Sequence, residues 1–189
     1  MLIYIDPGHG GLDGGACGNG IVEKYVNLLV ASLTKNLLCD VYSIHAELTH
    51  LGQGFGGSPY SKKRDLDRRV TLANEAKADY FISIHTNSST NPIANGTEIY
   101  IYGKGGKAEK LANSILKPLV RTMQTKNRGV RLGNFQVLRE TKMPAVLVEL
   151  AFLSNLDDAV KLVNPYFLER AAAGIAWGVN CYIKGIPSS

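Results

Sequence analysis

Cysteine is scarce: Cys17, Cys39 and Cys181 are an odd number at unrelated spacings. Neither a disulfide framework nor a zinc ribbon follows from them, and they read as small apolar residues. No run of about 18 apolar residues occurs, which excludes a membrane-spanning helix. The opening MLIYIDPGHG has no basic leader, long apolar segment or small-residue cleavage site, so no secretory signal is read. HExxH is missing, and the chain is not a zincin by signature. GxSxG is missing too, which argues against an α/β-hydrolase nucleophile. The glycine-rich stretch near the N-terminus fails as a dinucleotide fingerprint, because GNGIVE carries Glu23 where GxGxxG needs glycine. GKGGK (103–107) is not a Walker A loop and reads as a turn that at most holds an anion.

What is present suits one domain with a sizeable core: 189 residues, 45% hydrophobic and 20% charged. The net charge of +5 suggests an anionic partner, whether nucleic acid, an acidic membrane or an acidic polymer such as a bacterial wall. The basic residues are spread along the chain, so charge alone does not choose among these.

LIYID (2–6) reads as a strand and 7–20 as a glycine-rich loop. Val22, Val26, Leu29, Val30, Leu33 and Leu37 recur at helical spacing over 22–38. VYSI (41–44) reads as a short strand and 48–63 as a long flexible loop. Residues 65–78 read as a helix with acids in its first turn, followed by the strand YFISIH (80–85). TEIYIY (97–102) is a strand and 107–124 an amphipathic helix bent near Pro118. FQVLRE (135–140) and AVLVEL (145–150) read as two further strands. SNLDDAVKLV opens on a Ser or Asn cap. A last long helix has Asn164 as cap and Pro165 at its first position. Strands alternating with helices predict a single α/β domain over 1–184 with one central sheet, at least partly parallel. Residues 185–189 read as the start of a linker.

Glu149 sits among Val146, Leu147, Val148 and Leu150, in a run that reads as a buried strand. An unpaired carboxylate there is costly or gives up its charge. An arginine such as Arg69 or Arg139 is one candidate partner. A metal site is another. His9 follows the first strand, His85 closes YFISIH, and Glu23 opens the first helix. Ligand sites in α/β sheets lie at the carboxyl ends of strands, so parallel strands would bring these three to one edge. Two histidines and a glutamate form a catalytic zinc set with a fourth position for water. Alternation along AVLVEL lets Glu149 reach the same edge, where it would handle protons. Taken singly, each residue has a blander reading: an exposed histidine, a helix-dipole partner, an ion pair. His45 and His50 are assigned no role.

IYIDPGHGGLDGGA, VEKYVNLLVASL, RRVTLANEAKADYFISIHTNSS, GTEIYIY and VLRETKMPAVLVELAFLSNLDD resemble, in order, the signatures of zinc-dependent N-acetylmuramoyl-L-alanine amidases of the Amidase_3 type. The resemblance covers nearly the whole chain. It implies a mixed, mostly parallel sheet flanked by helices. It also implies one zinc ion held by His9, Glu23 and His85, with Glu149 as the catalytic glutamate. Asn87 matches a family position close to the site and is expected to contact substrate, whereas Arg69 is expected to be a structural partner. Ala151 stands where the family usually has glycine, and the 48–63 loop lacks the usual threonine–arginine pattern. The short link IYGKGGKAEK leaves little room for the helical insertion some relatives carry, so an open site needing no activator is expected.

The implied reaction is hydrolysis of the amide between N-acetylmuramic acid and L-alanine in peptidoglycan, by a zinc-activated water with Glu149 carrying the proton. The implied partner is the bacterial cell wall rather than nucleic acid, with a monomer as the default. The missing signal and the linker-like end lead to the expectation of a phage endolysin or sporulation enzyme, released by lysis or exported by another route. Its wall-binding domain would lie outside these residues. A bacterial autolysin is not distinguished from these. Two other readings stay open: a zinc carboxypeptidase acting on the peptide stem, and a non-catalytic wall-binding module whose zinc is structural.

Overall fold

A six-stranded sheet separates two layers of helices. The structure, a computed structural model, describes residues 1–188, so the last residue of the expected tail lies outside the described residues. The chain runs through β1 (Leu2–Pro7), a small hairpin of β2 (Cys17–Gly18) and β3 (Ile21–Val22), and α1 (Glu23–Asn36). It continues through β4 (His45–Leu48), α2 (Lys62–Glu75), β5 (Tyr80–Asn87), β6 (Thr97–Ile101) and α3 (Lys107–Met123). It ends with β7 (Asn127–Leu132), α4 (Gln136–Arg139), β8 (Ala145–Phe152), α5 (Leu156–Leu162) and α6 (Pro165–Lys184). Strand order is β4-β1-β5-β8-β6-β7. β4, β1, β5 and β8 are mutually parallel; β6 meets β8 antiparallel and carries β7 parallel to itself. The sheet is therefore mixed and mostly parallel, as expected.

Both faces of the central strands are covered, which is why they read as near-continuous apolar runs. Ile3, Ile5, Ile82, Ile84, Val146 and Val148 cluster with Val30 of α1, Ile115 of α3 and Ile175 of α6. Tyr4, Phe81, Ala145 and Leu147, on the alternate positions, cluster with Val70 and Ala73 of α2 and with Val137 and Leu138 of α4. Asn164 caps α6 by accepting from the Tyr166 amide, with Pro165 at its first position, and Asn155 caps α5 by accepting from the Asp158 amide. α3 runs on through Pro118, which is buried.

Three local expectations are corrected. Residues 41–44 are not a strand. α1 continues into a π-helical turn over Leu37–Val41 and Ser43 takes a positive φ of 56°, so the strand begins at His45. FQVLRE is a short helix, closed by bonds from the Leu138 and Arg139 amides to the Phe135 carbonyl. Its two adjacent apolar residues, Val137 and Leu138, both reach the core, which a strand could not arrange on one face. The strand beside it is instead β7, NRGVRL, an edge strand whose polar, partly exposed residues give no period-two signal. The loop ahead of α2 is tied down rather than loose: Thr49 donates to Asp6, and the Phe55 amide donates to Asp65.

α6 lies against α3 through Gly174 and Gly178. A Cβ on Gly178 would stand 2.5 Å from the Ile115 Cα and 2.6 Å from the Ser114 carbonyl oxygen. Backbone cannot yield as a side-chain tip can, so Gly178→Ala should cost about 1–3 kcal/mol by overpacking. Urea unfolding should show a lower midpoint with an unchanged slope.

Candidate metal centre and its cleft

The parallel strands deliver their carboxyl ends to one edge, and the candidate residues gather there. His9 lies just past β1 in the left-handed region, with φ 66°. A non-glycine residue holds that conformation only when its surroundings impose it. Arg69 of α2 does so. It is buried to 1% exposure and donates to the Pro7 carbonyl (2.6 Å), the His9 carbonyl (2.6 Å), Asp6 (2.8 Å) and Asp65 (2.7 Å). Asp6 also accepts from Thr49 and Ser83, each at 2.7 Å. Burial pushes the Asp6 carboxyl up, but the Arg69 guanidinium and the two hydroxyls outweigh it and hold it below its ordinary 3.8. Four of the five Arg69 N–H groups are thus engaged, and Arg139 bonds Glu140 and Asn134. Neither pairs with Glu149, so that expectation is corrected.

Glu23, the first residue of α1, is buried and fully engaged. Its Oε1 accepts from Asn27 and from the Thr86 amide, both at 3.1 Å, and faces His85 Nδ1 at 3.0 Å. Its Oε2 accepts from the Ala16 amide at 2.9 Å and faces His9 Nε2 at 3.2 Å. Burial pushes its carboxyl up, but the two imidazoles outweigh that and depress it strongly. His9, Glu23 and His85 each offer one ligand atom, all within 4.8 Å of one another. Two glycines make room. A Cβ on Gly8 would enter the His85 ring, and one on Gly15 (φ 69°) would meet Glu23 Oε2 at 2.6 Å and the His9 ring at 2.7 Å.

The donor set fits a divalent metal. Asp13 Oδ2 lies 2.8 Å from His9 Nδ1. The Asp13 carboxyl, pushed up by burial, is held below its ordinary value by the His9 and Gly15 hydrogen bonds. An ionised Asp13 can only accept, so Nδ1 donates to it, and Nε2 is the nitrogen turned toward Glu23 that would give up its proton to a metal. Tyr60, from the long loop, donates to the same Asp13 oxygen at 2.9 Å.

Glu149 completes the group. In the sheet it is the Cα partner of His85 on one side and of Glu98 on the other. Its Oε2 is buried and, among the described residues, has no hydrogen-bond partner. Burial, then the negative charges of Glu23 and Glu98, push its carboxyl well above 4.5. Such a group exchanges a proton readily once a cation stands nearby. A cavity of about 280 Å³ opens over these residues, its walls including Tyr60, Asn87, Phe135 and Gln136. Asn87 reaches this cleft with its amide held by Glu98 at 2.8 Å.

All five residues singled out in the sequence come together here. Asp13, Asn27 and Glu98 were missed. Asn27 lies one helical turn after Glu23 and was legible on that spacing. Glu98, a carboxylate inside the apolar run TEIYI, carries the same signal that drew attention to Glu149. Asp13 carries no such mark, because glycine-rich loops have no period.

Structural zinc is usually closed by four protein ligands. Here three donor atoms lie beside the cleft, next to a carboxyl group without a partner. That openness suits a catalytic metal position better than a closed structural one. The model of the Amidase_3 family, N-acetylmuramoyl-L-alanine amidase, matches residues 3–181, and the chain belongs to this family. It is 38% identical to the N-acetylmuramoyl-L-alanine amidase LytC of Bacillus subtilis over 184 residues, covering 96% of this chain but 35% of LytC. It is 33% identical to the germination-specific N-acetylmuramoyl-L-alanine amidase of the same species, covering 98% of this chain and 82% of that one. The solved catalytic domain of the amidase CwlV from Bacillus (Paenibacillus) polymyxa superposes with a TM-score of 0.86 at 36% identity, over 97% of this chain and 98% of that one. Only five residues, 102–106, separate β6 from α3, and they form no helix. No helix among the described residues is long and apolar enough to cross a membrane.

Two outcomes follow. Asp13→Ala should weaken metal binding about 10- to 100-fold, read by chelator competition, with the circular dichroism unchanged. The depressed Asp6 carboxyl contributes stability that is present above about pH 4 and lost as pH falls through its folded value. Urea midpoints should therefore drop steeply below about pH 4, and Asp6→Asn should flatten that slope while lowering stability at neutral pH.

Proposed function

We propose that residues 1–184 form a peptidoglycan-cleaving catalytic domain. It hydrolyses the amide between the lactyl carbonyl of N-acetylmuramic acid and the amine of L-alanine. His9, Glu23 and His85 would hold one zinc ion, and Glu149 would carry the proton. The observation behind this reading is the unpaired Glu149 Oε2 on the strand position next to His85. When bound, zinc supplies Lewis acidity, polarising the scissile carbonyl and making water easier to deprotonate. The rest falls to the protein's own groups. Glu149, kept poor in hydrogen bonds and raised in pKa, accepts the proton of the attacking water and returns it to the departing alanine nitrogen. Asn87, its orientation held by Glu98, faces substrate in the cleft. His9 keeps its ring fixed through Asp13, and Arg69 fixes the backbone that carries it.

The working site of such an enzyme is the bacterial cell wall, and the excess positive charge suits a surface rich in anionic polymers. A separate wall-binding domain and a monomeric state belong to the same proposal.

Digestion of purified peptidoglycan tests it. New N-terminal L-alanine should appear, vanish on chelation and return with zinc. Glu149→Gln should retain zinc yet lose about 10²- to 10⁴-fold in kcat. Released stem amino acids with intact muramoyl–alanine bonds would instead identify a carboxypeptidase. Sacculus binding without any new ends would identify a binding module.

A further inference from the structure

The reversal of strand direction between β8 and β6 places the starts of β6 and β7 at the catalytic edge. Leu147, Tyr100 and Arg131 are successive Cα partners across β8, β6 and β7. They therefore share the sheet face that carries Glu149. Leu147 lines the cleft, and Tyr100 meets Phe135, another cleft residue, edge to face at a centroid distance of 5.2 Å. Arg131 thus lies on the same sheet face, on the edge strand beyond the cleft lining.

The charges there do not balance locally. Arg128 and Arg131 both pair with Glu98 Oε2 through Nε, at 2.7 and 2.8 Å. The other oxygen of Glu98 accepts from Asn87 and Tyr100. One carboxylate thus serves two guanidiniums, leaving one positive charge in excess. Arg128 is further occupied: it donates to the Asn95 carbonyl and lies over the Phe152 ring. Arg131 is not. Its side chain is 46% exposed, and among the described residues its two terminal nitrogens have no partner. A guanidinium ion-paired at Nε and free at its fork is able to take a carboxylate through two parallel hydrogen bonds.

The distance suits a peptide. Arg131 lies two strand spacings across and two residues along from Glu149, roughly 12 Å between Cα positions. The Arg131 side chain leans back toward Glu98 and shortens that span. One peptide residue extends about 3.5 Å, so a carboxylate on the residue after L-alanine lies within reach of the fork.

We propose that Arg131 binds the free carboxylate of the acidic stem residue that follows L-alanine, with its ion pair to Glu98 positioning the guanidinium. The inference rests on the amidase reading. It makes Arg131 a specificity residue that separates stems with a free carboxylate from amidated ones.

The test uses N-acetylmuramoyl-L-Ala-D-isoglutamyl-L-Lys amide and its D-isoglutaminyl analogue, which differ only in that carboxylate. With the first, Arg131→Ala should raise KM roughly 10- to 100-fold with kcat nearly kept, and Arg131→Lys should recover part of the loss. With the analogue, the wild type should already bind weakly and Arg131→Ala should cost far less. Equal losses on both substrates, or no loss on either, would overturn the proposal while leaving the amidase reading standing. Failure of the wild type to release alanine-terminated peptide from either substrate or from whole peptidoglycan would overturn both.

Discussion

The buried pairing of Arg69 with Asp6 and Asp65 is the interaction on which the rest of the site depends. It joins the end of β1, the start of α2, the long loop and β5 through one guanidinium. Breaking a buried pair from one side leaves an uncompensated charge, at a cost of about 3–5 kcal/mol. The same guanidinium holds the His9 carbonyl, so the left-handed turn that aims His9 rests on core electrostatics rather than on the loop's own preferences. Metal-ligand geometry and fold stability are therefore coupled here, and the loop cannot relax without exposing two buried acids.

Around the cleft the protein sorts four carboxyl groups by the partners it gives them. Asp13 is engaged with a histidine and a tyrosine, Glu23 with two histidines and three amide donors, Glu98 with two arginines. For Asp13 and Glu23 those partners outweigh burial and hold the carboxyl below its ordinary value. Glu149 alone has a buried oxygen without a donor, and its neighbours Glu23 and Glu98 oppose its charge. Two carboxylates across one ladder step thus differ in role because their surroundings differ, one paired with two arginines and the other left without a donor.

The single antiparallel junction in the sheet makes that contrast possible. Had β6 run parallel to β8, its start would lie at the opposite edge, and Glu98 would not face Glu149. Reversal also brings Arg128 at the start of β7 to the same edge, with Arg131 two strands from Glu149. The cleft therefore has a ligand-bearing side built from loops after parallel strands and a basic side built from the reversed pair.

Much of this was written locally. The apolar runs of β1, β5 and β8, the Asn164–Pro165 start of α6 and the glycine-flanked His9 each follow from short-range chemistry: strand burial, capping, close backbone approach. The isolated carboxylate of Glu149 announced a site because burial of charge is costly wherever it occurs. β7 escaped notice because an edge strand half in solvent needs no alternation, and 135–140 read wrongly because two adjacent apolar residues satisfy strand and helix alike. The sequence by itself determined which residues had to be buried and which acids would be uncomfortable there. Which acid found a partner was decided only by the tertiary structure, since Arg69, Arg128 and Arg131 reach their carboxylates through strand order and direction, and no local pattern encodes those.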